Sequence, residues 1–315
     1  MSNMLQKLIK RSVDKKIHIS KHNDDIDFQT LYPKKVSTPD VLFDEIKGKP
    51  DQCFVIVPDV HSYIRDKKAF DVFMAALPHL QKHYNVTKFV QLGDLLECGK
   101  FSAHPVSCVQ EVIPEYVDEI NWAMNDFWTP AMKSLPNANF YALMGNHEER
   151  LNKYIATRMG HNDLAATIYN DLMPYKLYED KGIHVTPYGR ADISEGVLEL
   201  FPGLVCIHGW SIAKNAAKAH LDQLTGGNSV IFGHTHRMQS EVRRNPLNNG
   251  YVGAYSFGSL ARVSMNWHYG KPMDHTLGFG LVFTYGKQFF VRTVEILIDG
   301  DKRVCLLPNG EIISA

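Results

Sequence analysis

At 315 residues and 44% hydrophobic composition, the chain is long enough to bury a large core in one big α/β domain or two ordinary ones. Its 34 basic residues balance 34 acidic ones, so the overall charge calls for no polyanionic partner and neither indicates nor excludes nucleic acid. Five widely spaced cysteines (Cys53, Cys98, Cys108, Cys206, Cys305) and a basic start, Met1 to Val13, that no apolar stretch follows predict reduced thiols in a cytoplasmic compartment, without a signal peptide or membrane span.

Residues 1–46 lack clear periodicity and contain Pro33 and Pro39. They are expected to form an N-terminal extension across the core or a partly disordered one, with a short amphipathic helix around Leu5, Leu8 and Ile9. Residues 47–315 form the main domain. Cys53-Phe-Val-Ile-Val, Phe89-Val-Gln-Leu, Phe140-Tyr-Ala-Leu-Met, Leu204-Val-Cys-Ile and Val230-Ile-Phe are short, rich in strand formers and predicted to be buried central strands. Between them, Phe70, Phe73, Met74, Leu77 and Leu80 share one helical face. A second helical face carries Tyr116, Val117, Ile120, Ala123, Met124, Phe127 and Ala131, with Pro114 suited to its first turn. A third carries Leu151, Tyr154, Ile155 and Met159. Strand followed by helix, repeated, predicts an α/β core. The last third is strand-like over 239–244, 251–257, 279–285, 289–296 and 303–307, with turn signals at Asn248-Asn-Gly250, Tyr285-Gly286-Lys and Asp299-Gly300-Asp301. This β-rich tail is predicted to add a second sheet to the first, making a sandwich of two sheets flanked by helices.

Five motifs fall where the predicted strands run out: Asp59-Val-His61, Gly93-Asp94, Gly145-Asn146-His147-Glu148, His208-Gly209 and Gly233-His234-Thr-His236. In open α/β sheets functional groups gather just past the carboxyl ends of strands, so one site can collect them all. Together they offer carboxylate oxygens from Asp59 and Asp94, imidazole nitrogens from His61, His208, His234 and His236, and the amide oxygen of Asn146. Such a mixed nitrogen and oxygen set suits manganese, iron, zinc or nickel rather than magnesium or calcium. With only Asp59 and Asp94 anionic, two divalent cations would leave net positive charge, which suits a phosphate-binding centre and not a closed structural metal site. Glycines at 93, 145, 209 and 233 are expected to let the backbone turn sharply.

The blocks D-x-H, G-D, G-N-H-[DE], H and G-H-x-H, all present in order, resemble the calcineurin-like metallophosphoesterase superfamily over roughly Asp51 to Ile296. Within it, Gly145-Asn-His-Glu-Glu-Arg150 and Gly278-Phe279-Gly280 look most like phage and prophage phosphoesterases, which implies a bacterial cell or a phage-infected host. The resemblance implies a four-layer αββα sandwich of two mixed sheets flanked by helices. It also implies two divalent metal ions per chain, manganese first, one held by Asp59, His61, Asp94 and His236. Asp94, Asn146, His208 and His234 would hold the other, with Asp94 bridging. A metal-bridging hydroxide would attack the phosphoester, and His147 would act as general acid.

The protein phosphatases of the superfamily continue the second block as G-D-x-V-D-R-G. Here Gly93-Asp-Leu-Leu-Glu97-Cys98-Gly99 lacks that arginine, and Met144 replaces another before the asparagine. Without guanidinium forks matched to a dianion, a phosphodiester of DNA, RNA or a nucleotide becomes the leading substrate. A phosphomonoesterase is the alternative, and a metal-free scaffold ranks third because no ligand is lost. Glu97 stands where those enzymes carry an aspartate that pairs with the catalytic histidine, so it either orients His147 or is a solvated loop carboxylate. Lys100, Arg150 and Arg237 are phosphate clamps or solvated charges. Trp210 reads as packing before it reads as a platform for a base. His79, His83 and His220 are expected at the surface or behind the site. Cys98 and Cys108, flanking His104, read as free thiols rather than a third metal site or a disulfide.

Overall fold

The first apolar run becomes β1 (Gln52–Val57), with Cys53, Val55 and Val57 facing one core and Phe54 and Ile56 facing another. A strand covered on both faces has no polar side, which is why its sequence reads as continuous hydrophobicity rather than alternation. The structure is a computed structural model describing residues 48–103, 112–158, 167, 171, 173–189, 193–224, 227–245, 250–264 and 273–315. The chain divides into two compact units, Met1–Lys49 and Pro50–Ala315. The N-terminal extension, His104, Cys108, Met159 and the Asn248 turn fall outside the described residues.

After β1 come α1 (Lys67–His83), β2 (Val86–Gln91), α2 (Tyr116–Trp122), α3 (Thr129–Ser134), β3 (Asn139–Leu143), α4 (Glu149–Arg158), α5 (Pro174–Asp180) and β4 (His184–Thr186). The second half carries β5 (Leu198–Phe201), β6 (Leu204–Ile207), α6 (Ala216–Gln223), β7 (Ser229–Phe232), β8 (Met238–Asn245) and β9 (Gly250–Phe257). It ends with β10 (Gly278–Tyr285), β11 (Gln288–Asp299), β12 (Lys302–Leu306) and β13 (Ile312–Ser314). One sheet has eight strands in the order β13-β12-β11-β10-β1-β2-β3-β4, and the other has five in the order β5-β6-β7-β9-β8. β1 to β4 are mutually parallel, as are β6, β7 and β9.

The C-terminal strands therefore do not build the second sheet by themselves. β8 and β9 close it, whereas β10 to β13 extend the first, with β10 antiparallel beside β1. β10 buries both faces, Leu281 toward the helices and Val282 between the sheets, and a strand of that kind is stable only inside a sheet covered on both sides.

Three cores separate four layers. Phe70, Phe73, Leu77 and Leu80 of α1, which Asp66 caps by accepting the Ala69 N–H at 3.0 Å, pack on Phe89, Phe279 and Val294. Phe54, Ile56, Val90, Leu204, Ile231, Phe257 and Val282 fill the space between the sheets. Ala216, Ala217 and Leu221 of α6 cover Val205, Val230 and Phe232 on the far side. Helices thus lie outside both sheets of a mixed α/β sandwich.

The predicted second helix differs in detail. Pro114 precedes α2 rather than sitting in its first turn, Val117 is 61% exposed, and a π-helical segment at Ala123–Trp128 separates α2 from α3. Pro130 has no N–H for a carbonyl one turn back, which favours the wider turn. In it the consecutive Phe127 and Trp128 both bury against Phe89, their ring centroids each 5.9 Å from that ring.

Candidate metal centre

Each motif sits within four residues of a strand's carboxyl end: Asp59 and His61 after β1, Asp94 after β2, Asn146 and His147 after β3, His208 after β6, and His234 and His236 after β7. His61, Asp94, His234 and His236 hold left-handed backbones, with φ of 57°, 54°, 68° and 55°. Each such non-glycine residue costs on the order of 1 kcal/mol or more, a strain characteristic of functional loops. Of the four glycines expected to turn the chain, Gly93 and Gly209 are left-handed. Gly145 serves differently: a Cβ there would overlap Asp94 Oδ1, so its role is to let the backbone lie against that carboxylate.

The side chains converge. Asp59, His61 and His236 form one group whose donor atoms lie within 4.8 Å of one another, as do Asp94, His208 and His234, and also His61, Asp94 and His147. Asp94 Oδ2 is 3.3 Å from His208 Nε2 and 3.8 Å from both His61 Nε2 and His147 Nε2. Asn146 Oδ1 lies 3.0 Å from His208 Nε2, and His61 Nε2 lies 2.9 Å from His236 Nε2. Asp59 accepts the His234 N–H at 2.9 and 3.0 Å, which orients it toward His236.

These contacts test whether the residues suit a cation. His208 Nδ1–H donates to the Leu92 carbonyl at 2.8 Å, so a neutral His208 turns its Nε2 lone pair on the acceptor oxygen of Asn146. His61 Nδ1–H donates to Glu97 at 2.7 Å, so a neutral His61 turns its Nε2 lone pair toward His236 Nε2, which can meet it with an N–H because His236 Nδ1 has no partner among the described residues. At His208 and Asn146 a lone pair faces a lone pair, a contact that positive charge relieves, and the mixed imidazole, carboxylate and amide set fits a metal ion. Without a cation, the surrounding carboxylates favour protonation of these rings, which places positive charge at the same centre. Burial opposes charge on His208, but Asp94 raises it to about 10; burial opposes charge on His61, but Glu97 raises it to about 9. Burial raises Asp59 to about 6, while Asp94, buried as well, is held well below the usual carboxylate range by His147 and His208.

Behind the donors stands Glu97, which is buried. Its Oε2 lies 2.7 Å from His61 Nδ1 and 2.9 Å from His147 Nδ1, and its Oε1 accepts from Arg150 Nη1 at 2.8 Å. The His147 N–H donates to Asp94 Oδ1 at 2.9 Å.

Residues 54–238 match the family of calcineurin-like phosphoesterases. The chain belongs to this family. Its members bind divalent metal ions, and the His and Asp groups above are where this phosphoesterase could hold them. Among solved structures it is similar to Vps29 from Chaetomium thermophilum, at 10% identity and a TM-score of 0.39, covering 84% of this chain and 95% of that one. It is also similar to Vacuolar Protein Sorting 29 from Cryptosporidium parvum, at 14% identity and a TM-score of 0.37, with the same coverage. Comparison with curated proteins finds no match. Among the described residues, no helix is long and apolar enough to cross a membrane.

The cations near the motifs in sequence are engaged with protein groups, Arg150 inside the site and the other two outside it. Arg150 donates across the fold to Glu97 and, one turn back on its own segment, places Nη2 3.0 Å from His147 Nε2. Lys100 pairs with Glu115 at 2.8 Å in solvent, and Arg237 donates to the Ala213 carbonyl at 2.7 Å. His79 and His83 meet Glu311 far from the site, at 2.9 and 3.1 Å. Cys53, Cys98, Cys206 and Cys305 are buried free thiols.

Two supporting residues of the phosphoesterase, Glu148 and Glu119, escaped sequence reasoning, while His220 takes one of the two places expected for it, behind the site. Glu148, whose carboxyl burial raises, accepts the backbone N–H groups of Asp94, Leu96 and Gly145 at 3.0, 2.9 and 2.8 Å, tying two ligand loops together. Glu119, from α2, accepts from Ser62 Oγ and from the N–H groups of Glu97 and Cys98 at 2.6, 2.8 and 3.0 Å. His220 is fully buried; its Nδ1–H donates to Ala216 O at 2.8 Å while its Nε2 accepts the Trp210 N–H at 3.1 Å, fixing the loop after His208. Glu148 lay in a motif and could have been found there. Nothing local distinguishes Glu119.

Proposed function

We propose that this phosphoesterase is a phosphodiesterase or nuclease that works with two divalent cations, manganese foremost and iron, zinc or nickel as alternatives. The observation that carries the reading is the convergence of acceptor atoms from all five strand ends on one buried centre around Asp94. Asp59, His61, Asp94 and His236 would hold one cation and Asp94, Asn146, His208 and His234 the other. When bound, such cations lower the pKa of water and neutralise the non-bridging oxygens of a phosphoester. His147 turns Nε2 toward the cluster while Glu97 holds its Nδ1; Nε2 accepts from Arg150 Nη2 at 3.0 Å, so donating a proton from Nε2 to the leaving oxygen requires Arg150 to release that nitrogen. Glu97 is then a positioning residue acting through His147.

The diester preference rests on the neighbouring cations. With Arg150 committed to Glu97, Arg237 to backbone carbonyls and Lys100 to Glu115, none of the three offers the bidentate fork that a monoester dianion rewards. The test is kcat/KM of the manganese-loaded protein on bis(4-nitrophenyl) phosphate and on 4-nitrophenyl phosphate. The expected diester-to-monoester ratio exceeds one; a ratio below one assigns the protein to the phosphomonoesterases.

A further inference from the structure

A cavity of about 210 Å³ opens beside the candidate metal centre, walled by Met144, Pro187, Tyr188, Ile207, His208 and Trp210. His208 belongs to both, its Nε2 in the Asp94 cluster and its ring in the cavity wall, so one ligand can span the two. Building on the phosphodiesterase reading, we propose that this cavity is a nucleobase subsite: the substrate is a nucleoside phosphodiester whose base lies against Trp210 and Tyr188 while its phosphate sits at the cluster.

The walls are what stacking requires. Trp210 is held on several sides: its indole N–H donates to Gln223 Oε1, its backbone N–H donates to His220 at 3.1 Å, and its ring meets His220 edge-on at a centroid distance of 4.7 Å. The Tyr188 ring meets His208 edge-on at 6.2 Å. Aromatic surface fixed before binding pays little ordering entropy when a ring docks on it. Met144, Pro187 and Ile207 complete an apolar lining with no charged side chain apart from His208 at its inner end. The volume falls below the about 300–1,000 Å³ of drug-sized sites, which suits one heterocycle and not an extended chain. Every base has a π-face, so recognition by stacking tolerates any of them. Met144 gains a function in this reading: the side chain that replaces an arginine supplies apolar wall instead of an anion clamp.

The experiment holds the leaving group constant. With the full-length, manganese-loaded protein, kcat/KM is measured for the 4-nitrophenyl ester of thymidine 5′-phosphate and for methyl 4-nitrophenyl phosphate. One stacked base predicts a preference of about 5- to 150-fold for the nucleoside ester, carried mainly by KM. Trp210→Ala should bring the ratio close to one, Tyr188→Ala should lower it, and Trp210→Phe, which restores an aromatic face, should recover most of it. Saturation-transfer NMR with adenosine and no added cation reads the cavity without turnover; transfer to the base protons is expected in the wild type and in Trp210→Phe, and lost in Trp210→Ala. Failure of both esters to turn over would count against the phosphodiesterase reading while the NMR arm still decides the cavity. Equal kcat/KM for the two esters, or adenosine transfer indifferent to Trp210→Ala in a folded protein, would overturn the nucleobase subsite.

Discussion

Replacing Glu97 by glutamine removes one charge and leaves the shape nearly unchanged, and the structure determines the consequence. The Glu97 carboxylate accepts from three sides: His61 Nδ1 and His147 Nδ1 on Oε2, at 2.7 and 2.9 Å, and Arg150 on Oε1 at 2.8 Å. A glutamine has a single acceptor oxygen. Turned toward the histidines, it points its NH2 at the guanidinium; turned toward Arg150, it points its NH2 at two ring N–H groups. Either way a donor faces a donor. Because the Glu97 and Arg150 side chains are only 10% and 19% exposed, the loss should approach that of breaking a buried pair, about 2–4 kcal/mol of stability by urea unfolding. Cation affinity should fall about 10- to 100-fold, since the residue behind a metal-binding histidine sets its orientation, and elemental analysis at limiting metal reads this.

The catalytic effect separates by leaving group. An alkoxide leaving group needs a proton from His147 and should lose up to about 10²–10⁴ in kcat with His147→Ala, whereas a 4-nitrophenyl leaving group should be nearly spared. Glu97→Gln should give the same pattern more weakly. Taking the ratio of the two substrates within each variant at saturating metal cancels any metal loss. In the double variant Glu97→Gln should cost little further, because partners that act as a unit are not additive. Independent multiplication of the two ratios would refute the claim that Glu97 acts through His147.

Asp94→Asn should lower bound metal and activity together, since Asp94 belongs to two of the three side-chain groups and is proposed to bridge; a variant retaining two metals and near-normal turnover would remove Asp94 from the bridging role. Gly145→Ala should be as damaging as loss of a ligand, because its Cβ overlaps Asp94 Oδ1 against a backbone that cannot retreat, and metal titration with circular dichroism distinguishes a displaced carboxylate from an unfolded chain. His220 should confer acid sensitivity on stability. Burial lowers its pKa to about 4, below the ordinary 6.5, so the unfolded chain binds more protons across that interval and stability should fall as pH drops from 6.5 toward 4, by up to about 3 kcal/mol. His220→Gln should flatten that part of the pH profile in urea unfolding, and an unchanged slope would show that other groups set it.

Much of this phosphoesterase could be read from short stretches of chain. The runs that became β1, β2, β3, β6 and β7 are predominantly apolar and do not alternate because both faces of each strand are covered, and that signature is local. The residues after them announced a metal site because ligand chemistry is written in residue type, and a strand's end gives each its address. The tertiary structure decided everything that depends on partners distant in sequence. Whether the C-terminal hairpins form a new sheet or extend the first turns on β10 pairing with β1, more than 200 residues away, and hairpin signals are identical in either case. The π-helical turn that buries both Phe127 and Trp128 answers to Phe89 and Phe140 across the core, contacts that no helical period encodes. Glu97, Glu119, Glu148 and Arg150 are ordinary surface residue types in the sequence. They became the framework of the site because a buried charge is tolerable only beside its partners, and only the folded chain brings His61, His147 and Arg150 within 3 Å of one carboxylate.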